Sequence, residues 1–340
     1  MRYQLPRHIT AAAGGAAAVA DSRHAAAVIG PGRVGRTLSR MSVPPSPLYG
    51  RGSVLPQQLQ GPIWVCTTNN ALEDVVQRCV APSQRQQLVF VQNGMLLPWL
   101  ATHGLQHNTQ VLLYMSATED GKVTDGGRTV VCGSQSSHVV QLLQHGGVSC
   151  KQLGSWQEYH RAMVVKLLWS CIFWLLSAGL GGATVGNVVQ QHAGAVEALV
   201  SELLPIAAEY LAAPGSAAVP TAVQQPQGWL QRQDQQQQDP DKQLRQSQQV
   251  QHEPSSPASN RRSSSTGRSS QLCGLDQASV TQQLVEYSLA IAAAVPSADM
   301  ARREFTWRNG WFLGRRVTPQ HEHWLLRAGC QDLLLQHARC

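Results

Sequence analysis

The residues with the clearest chemical potential lie in AAAVIGPGRVGRTL, residues 25 to 38, where an apolar run meets Gly30, Gly32 and Gly35 and then a helical pattern. Such a strand, turn and helix cradles a dinucleotide. The first glycine makes the tight turn, the second lets backbone approach a pyrophosphate, and the third allows the helix to pack close on the strand. The free N–H groups of the helix start face the phosphates. Pro31, Arg33 and Val34 complete this phosphate loop. No Asp or Glu occurs between Ser22 and Leu72, so the carboxylate that would take a ribose 2′-hydroxyl is missing. Arg51, in PLYGRG, stands instead where the second strand should end, and a guanidinium fork suits a 2′-phosphate. The residues therefore favour NADP(H) over NAD. Arg51 also reads as an ordinary loop charge, because Pro44, Pro45 and Pro47 shorten that second strand.

Composition narrows the class. The 340 residues are 43% hydrophobic, enough for two domains with cores of their own. A net charge of +7 raises the question of nucleic acid, but the basic residues are scattered without an interleaved aromatic stripe, and small anionic ligands account for them. The eight cysteines form no CxxC pair, which argues against zinc or a disulfide framework and for a reducing, cytoplasmic setting. His321 and His323 in HEH would point to different faces of a helix, so no metal is expected there. Residues 1 to 24 are Ala-rich with Arg2, Arg7 and Arg23, and read either as an organellar transit segment or as a loose tail. The uncharged run at 167 to 185 nearly reaches bilayer-spanning length, yet its glycines and the absence of a second span favour a buried core helix.

These groups need a scaffold. The runs 63–68, 88–94, 111–118 and 128–133 read as strands, and ALEDVVQRC, after the first, as a helix, a βα alternation that predicts a mostly parallel sheet. From about Trp156 the pattern turns to long helices, one carrying Pro205, where a kink is expected. A Rossmann-type α/β domain over 25–156 and an all-α domain over 157–340 follow from this pattern. The Gln/Ser-rich stretch 217–270 cannot bury enough apolar surface to fold and reads as a disordered insertion. Helical pattern resumes over 280–295.

Taken in order, GPGRVG at 30 to 35, FVQNGM at 90 to 95, RAMVVKLL at 161 to 168 and EFTWRNGWFL at 304 to 313 resemble the motifs of ketopantoate reductases, NADPH-dependent enzymes of pantothenate synthesis. The resemblance implies a helical domain of the 6-phosphogluconate dehydrogenase C-terminal type, a small anionic 2-oxo acid as substrate, and a homodimer. It makes Lys166 the general acid, Glu304 a substrate-hydroxyl ligand and Asn93 a residue beside the nicotinamide. Ser170, Ser297 and Arg308 are the candidate substrate contacts. A lysine at the edge of an apolar helix has its own chemical logic, since burial lowers its pKa toward a useful range.

The chain also departs from that family. The nucleotide-loop Lys falls near Thr68 or Asn69; Ser170 and Trp174 stand where two helix Asn residues belong, and Thr184 or Val185 where a third does. Two readings follow: an NADPH-dependent 2-oxo acid reductase of altered specificity, or a non-catalytic NADP(H)-binding sensor or scaffold that has lost the substrate site. Replacing residues 217 to 270 by a short Gly/Ser linker should leave the melting temperature and NADPH affinity unchanged, as differential scanning fluorimetry and calorimetry would report.

Overall fold

The computed structural model describes residues 26–59, 61–118, 121–213 and 274–337. The segment 1–24 and the insertion 217–270 lie outside the described residues. The first part is built on a seven-stranded sheet. Strands β1 (Ala27–Ile29), β2 (Leu48–Tyr49), β3 (Ile63–Val65), β4 (Leu88–Phe90) and β5 (Thr109–Leu112) are parallel, in the order β2-β1-β3-β4-β5. A short hairpin, β6 (Met115–Ala117) and β7 (Val123–Asp125), forms a separate two-stranded sheet. The main sheet then continues with β8 (Thr129–Cys132), antiparallel to β5, and β9 (Cys150–Gln152), parallel to β8.

The central strands β1, β3 and β4 are apolar throughout because both faces of the sheet are covered there. Ala27 and Ile29, Ile63 and Val65, and Leu88 and Phe90 point into one core layer, whereas Val28, Trp64 and Val89 point into the other. Leu38 of α1 (Arg33–Arg40), with Val139 and Leu143 of α4 (Ser136–His145), closes the second layer. The first is closed by α2 (Leu72–Asp74), by the π-turn Val75–Cys79 that follows it, and by Trp99 and Leu100 of α3 (Leu97–Thr102). The chain order reverses at β1, so β1 and β3 flank the crevice where open α/β sheets bind ligands.

The second part is helical. Helix α5 (Trp156–Gly179) starts at Ser155, whose hydroxyl accepts the Glu158 N–H. Every residue from Ser170 to Ser177 is buried, among α6 (Val185–Gln191), α7 (Ala193–Ala212), α8 (Gln277–Ala290) and α11 (Pro319–Arg327). Among the described residues, the one helix with the length and apolar character to cross a membrane is thus mostly buried inside the protein, which accounts for its composition. Between α8 and α11 come α9 (Ala298–Arg303), a 3-10 turn at Phe305–Trp307 and α10 (Asn309–Leu313); α12 (Gln331–His337) follows.

Local readings of the sequence needed correction in two places. The run 111–118 is two strands in two sheets, divided at Leu113 and Tyr114, because the Tyr114 N–H donates to the Thr129 hydroxyl and its carbonyl accepts from Gly126. The helix expected over 280–295 ends at Ala290, after which the Ala292 and Ala294 carbonyls accept from Gly186 and Val185. Helix α7 carries Pro205, the position of the expected kink, in its interior.

Gly35 lies inside α1, and a Cβ there would run into the Gly30 carbonyl oxygen and lie 3.2 Å from Val28 Cγ1. Gly194, near the start of α7, faces nothing within 4 Å. Helix propensity favours Ala at both. Gly194→Ala should raise the unfolding free energy by up to about 0.5–1 kcal/mol, whereas Gly35→Ala should lower it by about 1–3 kcal/mol through overpacking. Urea titrations of the two variants would read the opposite signs.

Candidate active site

Gly30 ends β1 with φ +103°, and a Cβ there would lie 2.7 Å from the Cys66 carbonyl carbon, so the first βα turn presses on the end of β3. Gly32 is the N-cap of α1, has no side-chain cap and faces open space. The first-turn N–H groups of Arg33, Val34 and Gly35 have no intrahelical acceptors, and no acidic residue shares that turn. Pro31, Gly32 and Arg33 are exposed, and Val34 half-buried. This cradle fits a pyrophosphate. Arg51 is exposed in the turn after β2, without a hydrogen bond or ion pair among the described residues, on the side of β1 away from β3.

After β4 the Gln92–Asn93–Gly94 turn is tied down from several directions. Gln92 Nε2 donates to the carbonyls of Val65 (2.9 Å) and Thr67 (3.2 Å), and Asn69 Nδ2 donates to the Asn93 carbonyl (2.8 Å). Asn69, one of the two positions matched to the family's nucleotide-loop Lys, is therefore a buried strut. Asn93 Oδ1 is buried without a partner among the described residues. Gly94 has φ +95°, and a Cβ there would lie 2.5 Å from the Trp307 carbonyl oxygen, to which Met95 N donates at 2.7 Å. Trp307 Nε1 donates to Asn70 Oδ1 at 3.3 Å, adding a second link between sheet and helical part.

That contact sets the position of the segment around Trp307. Glu304 is buried, and its Oε2 accepts from Arg308 Nη2 at 2.5 Å; the two side chains are only 10% and 12% exposed. Lys166, from the middle of α5, donates from Nζ to the Leu113 carbonyl at 2.8 Å and sits 4.5 Å from the Tyr114 ring centre. Its pKa is lowered to about 7, chiefly by burial and also by the Arg308 charge, with the Glu304 charge opposing both. Lys166, Glu304 and Arg308 thus share one electrostatic neighbourhood.

Other predicted residues stand apart. Ser170, one turn beyond Lys166, is buried and donates its hydroxyl back to the Leu167 carbonyl at 2.9 Å. Ser297 is exposed and caps α9, accepting from Met300 N at 3.2 Å. Thr184 caps α6, accepting from Asn187 N. Trp174 is buried in the helical core. His321 is buried with Nε2 2.9 Å from Asn309 Oδ1, while His323 is exposed on the other side of α11. The sequence reading missed Leu113, Tyr114, Trp307 and Asn70. Only the paired Asn69–Asn70 after β3 left a visible trace, as polar turn residues at a strand end.

Fold and site together define a class: an open α/β dinucleotide-binding unit whose sheet edge is closed by a helical unit carrying a buried Lys, Glu and Arg. No protein-family model matches the chain, nor does any curated protein by sequence. Solved structures do. A dimeric ketopantoate reductase from Staphylococcus aureus superposes with a TM-score of 0.53 at 14% identity, covering 92% of this chain and 99% of that one. A D-mandelate dehydrogenase solved with NADH and anilino(oxo)acetate gives 0.55 at 10% identity, over 91% and 99%. The 2-dehydropantoate 2-reductase from Methylococcus capsulatus gives 0.51 at 12%, over 92% and 98%. The chain has the fold of these ketopantoate reductases and of the mandelate dehydrogenase.

Linkage gives the site a signature in stability. Lys166 titrates near 7 when folded and in the ordinary range around 10.5 when unfolded, so between those values the unfolded chain binds more protons and stability rises with pH. Below about 7 the folded state carries the full desolvation penalty. The advantage of Lys166→Met over the parent should therefore be greatest near pH 6 and shrink steadily toward pH 9, measured by urea unfolding at a series of pH values.

Proposed function

We propose that this protein is a divergent member of the ketopantoate reductase group, an NADPH-dependent reductase of a 2-oxo acid. The observation that carries the reading is the Lys166 ammonium, held between the Leu113 carbonyl and the Tyr114 ring with its pKa brought down to about 7, in the same neighbourhood as Glu304. A general acid works best with a pKa near the operating pH. The uncapped start of α1 and the open space at Gly32 would hold the pyrophosphate, Arg51 the 2′-phosphate, and Asn93 Oδ1 a donor at the nicotinamide end. Bound NADPH supplies the hydride.

The protein's own part is protonation and positioning. One Lys166 N–H is committed to Leu113, which orients the remaining two toward the substrate oxygen that gains negative charge. Lys166 delivers the proton there, while the Glu304 carboxylate orients the substrate and favours the charged form of Lys166. The bound anilino(oxo)acetate of the mandelate dehydrogenase supports an oxo acid as the substrate class. A homodimer in a reducing compartment suits the same reading. One observation favours the non-catalytic alternative: the Ser170 hydroxyl is turned back onto its own helix and offers a ligand no donor.

Assay of NADPH oxidation against a panel of 2-oxo acids separates the two. Lys166→Met should lower kcat by about 10²–10⁴ with little change in NADPH affinity. In the parent, the reduction rate should fall as pH rises through about 7, where the ammonium is lost. Arg51→Ala should weaken NADPH by about 1–3 kcal/mol and leave NADH binding unchanged. No turnover of any oxo acid, with NADPH still bound, would establish the sensor reading instead.

A further inference from the structure

Arg308 has a hydrogen-bonding deficit that its two neighbours in sequence do not share. Its neighbours are matched: Trp307 Nε1 donates to Asn70, and Asn309 Oδ1 is paired with His321 Nε2. The guanidinium makes one end-on bond, from Nη2 to Glu304 Oε2, and its Nε–H is buried without an acceptor among the described residues. A charged donor withdrawn from water and left unmatched is costly, and a guanidinium edge is shaped to take a carboxylate through two parallel N–H bonds.

The position suits a ligand group. Arg308 directly follows Trp307, whose carbonyl holds Met95 beside the buried, unpartnered Asn93 Oδ1. Its charge is felt at Lys166 on α5. Two cations, Lys166 and Arg308, stand against the single carboxylate of Glu304, so an incoming anion completes the balance of charge. What the unmatched Nε–H of Arg308 lacks is an acceptor, and a small planar anion supplies one.

We propose that Arg308 anchors the carboxylate of the substrate, with its free edge fixing the acid so that the adjoining keto group lies toward Lys166. This deepens the reductase reading by assigning the substrate-charge site, and it makes a free carboxylate the feature the enzyme selects. Esters and amides of the same oxo acid are then excluded, because they leave the guanidinium unmatched.

The test uses the full chain, with and without NADPH, and a probe pair that cannot be reduced in the assay: oxamate, which bears a carboxylate, and oxamide, its neutral counterpart. Calorimetry should find oxamate bound at least about tenfold more tightly than oxamide by the parent, the equivalent of one strong charge-assisted contact. Arg308→Met should abolish the preference. Arg308→Lys, which keeps the charge and loses the fork, should keep only part of it. Because Arg308→Met leaves Glu304 buried and unpaired, the double variant R308M/E304Q serves as the folded reference, and added guanidinium chloride at low millimolar concentration should restore oxamate binding to R308M. Equal binding of the two probes by the parent, no oxamate binding at all, or undiminished preference in both Met variants would overturn the proposal. A chain that reduces oxo acids with unchanged KM in R308M refutes the anchor and keeps the reductase; one that reduces nothing yet binds oxamate through Arg308 does the reverse.

Discussion

The arrangement depends on the close approach of two backbones at Gly94 and Trp307. The Met95 N–H reaches the Trp307 carbonyl at 2.7 Å, and the missing Cβ of Gly94 is what leaves room for that carbonyl. One bond thereby docks a late segment of the helical part on the C-terminal edge of the sheet. Glu304 and Arg308 lie three residues before and one after the contact, so their distances from Lys166 follow from it. The Trp307–Asn70 and Asn69–Asn93 bonds brace the contact from the end of β3, the strand that also receives Gly30. Dinucleotide turn, Asn93 turn and charged cluster are consequently one mechanical unit.

Charge burial is the second constraint. Helix α5 is apolar over most of its length because it runs through the helical core, and Lys166 is the one cation in its central turns. Burial penalises that charge, Arg308 adds to the penalty, and Glu304 offsets part of it. Lysine is the suitable cation for this position because its pKa yields to its surroundings, whereas the guanidinium of Arg308 stays charged and needs partners. Breaking such a buried pair is costly because it strands the remaining charge.

Part of the chain's departure from the motifs it resembles lies on α5. Where the resemblance leads one to expect amide side chains, Ser170 bonds to its own helix and Trp174 fills the core. The polar groups that remain are on the opposing segment, in Glu304 and Arg308.

The dinucleotide turn, the alternation of strands and helices and the long buried helix were legible in the sequence, because each rests on local rules. Gly30, Gly32 and Gly35 are required by backbone geometry within a few residues, and the apolar runs at β1, β3 and β4 announce a sheet covered on both faces. Lys166, Glu304 and Asn93 were found through resemblance, and their neighbourhood was not. Nothing local marks the Leu113 carbonyl as the acceptor for Lys166, since Leu113 reads as one more residue of a strand that in fact divides there. Ser297, a candidate substrate contact in the sequence, caps α9, because a hydroxyl just before a helix satisfies the nearest free N–H first. The pairing of Glu304 with Arg308 is a one-turn spacing any surface helix shows; only the docking of Trp307 on Gly94 buries it and gives it chemical consequence. Sequence determines what the chain does over a few residues. Burial, and with it the strength of every charge in the site, is decided by segments that meet only in the folded molecule.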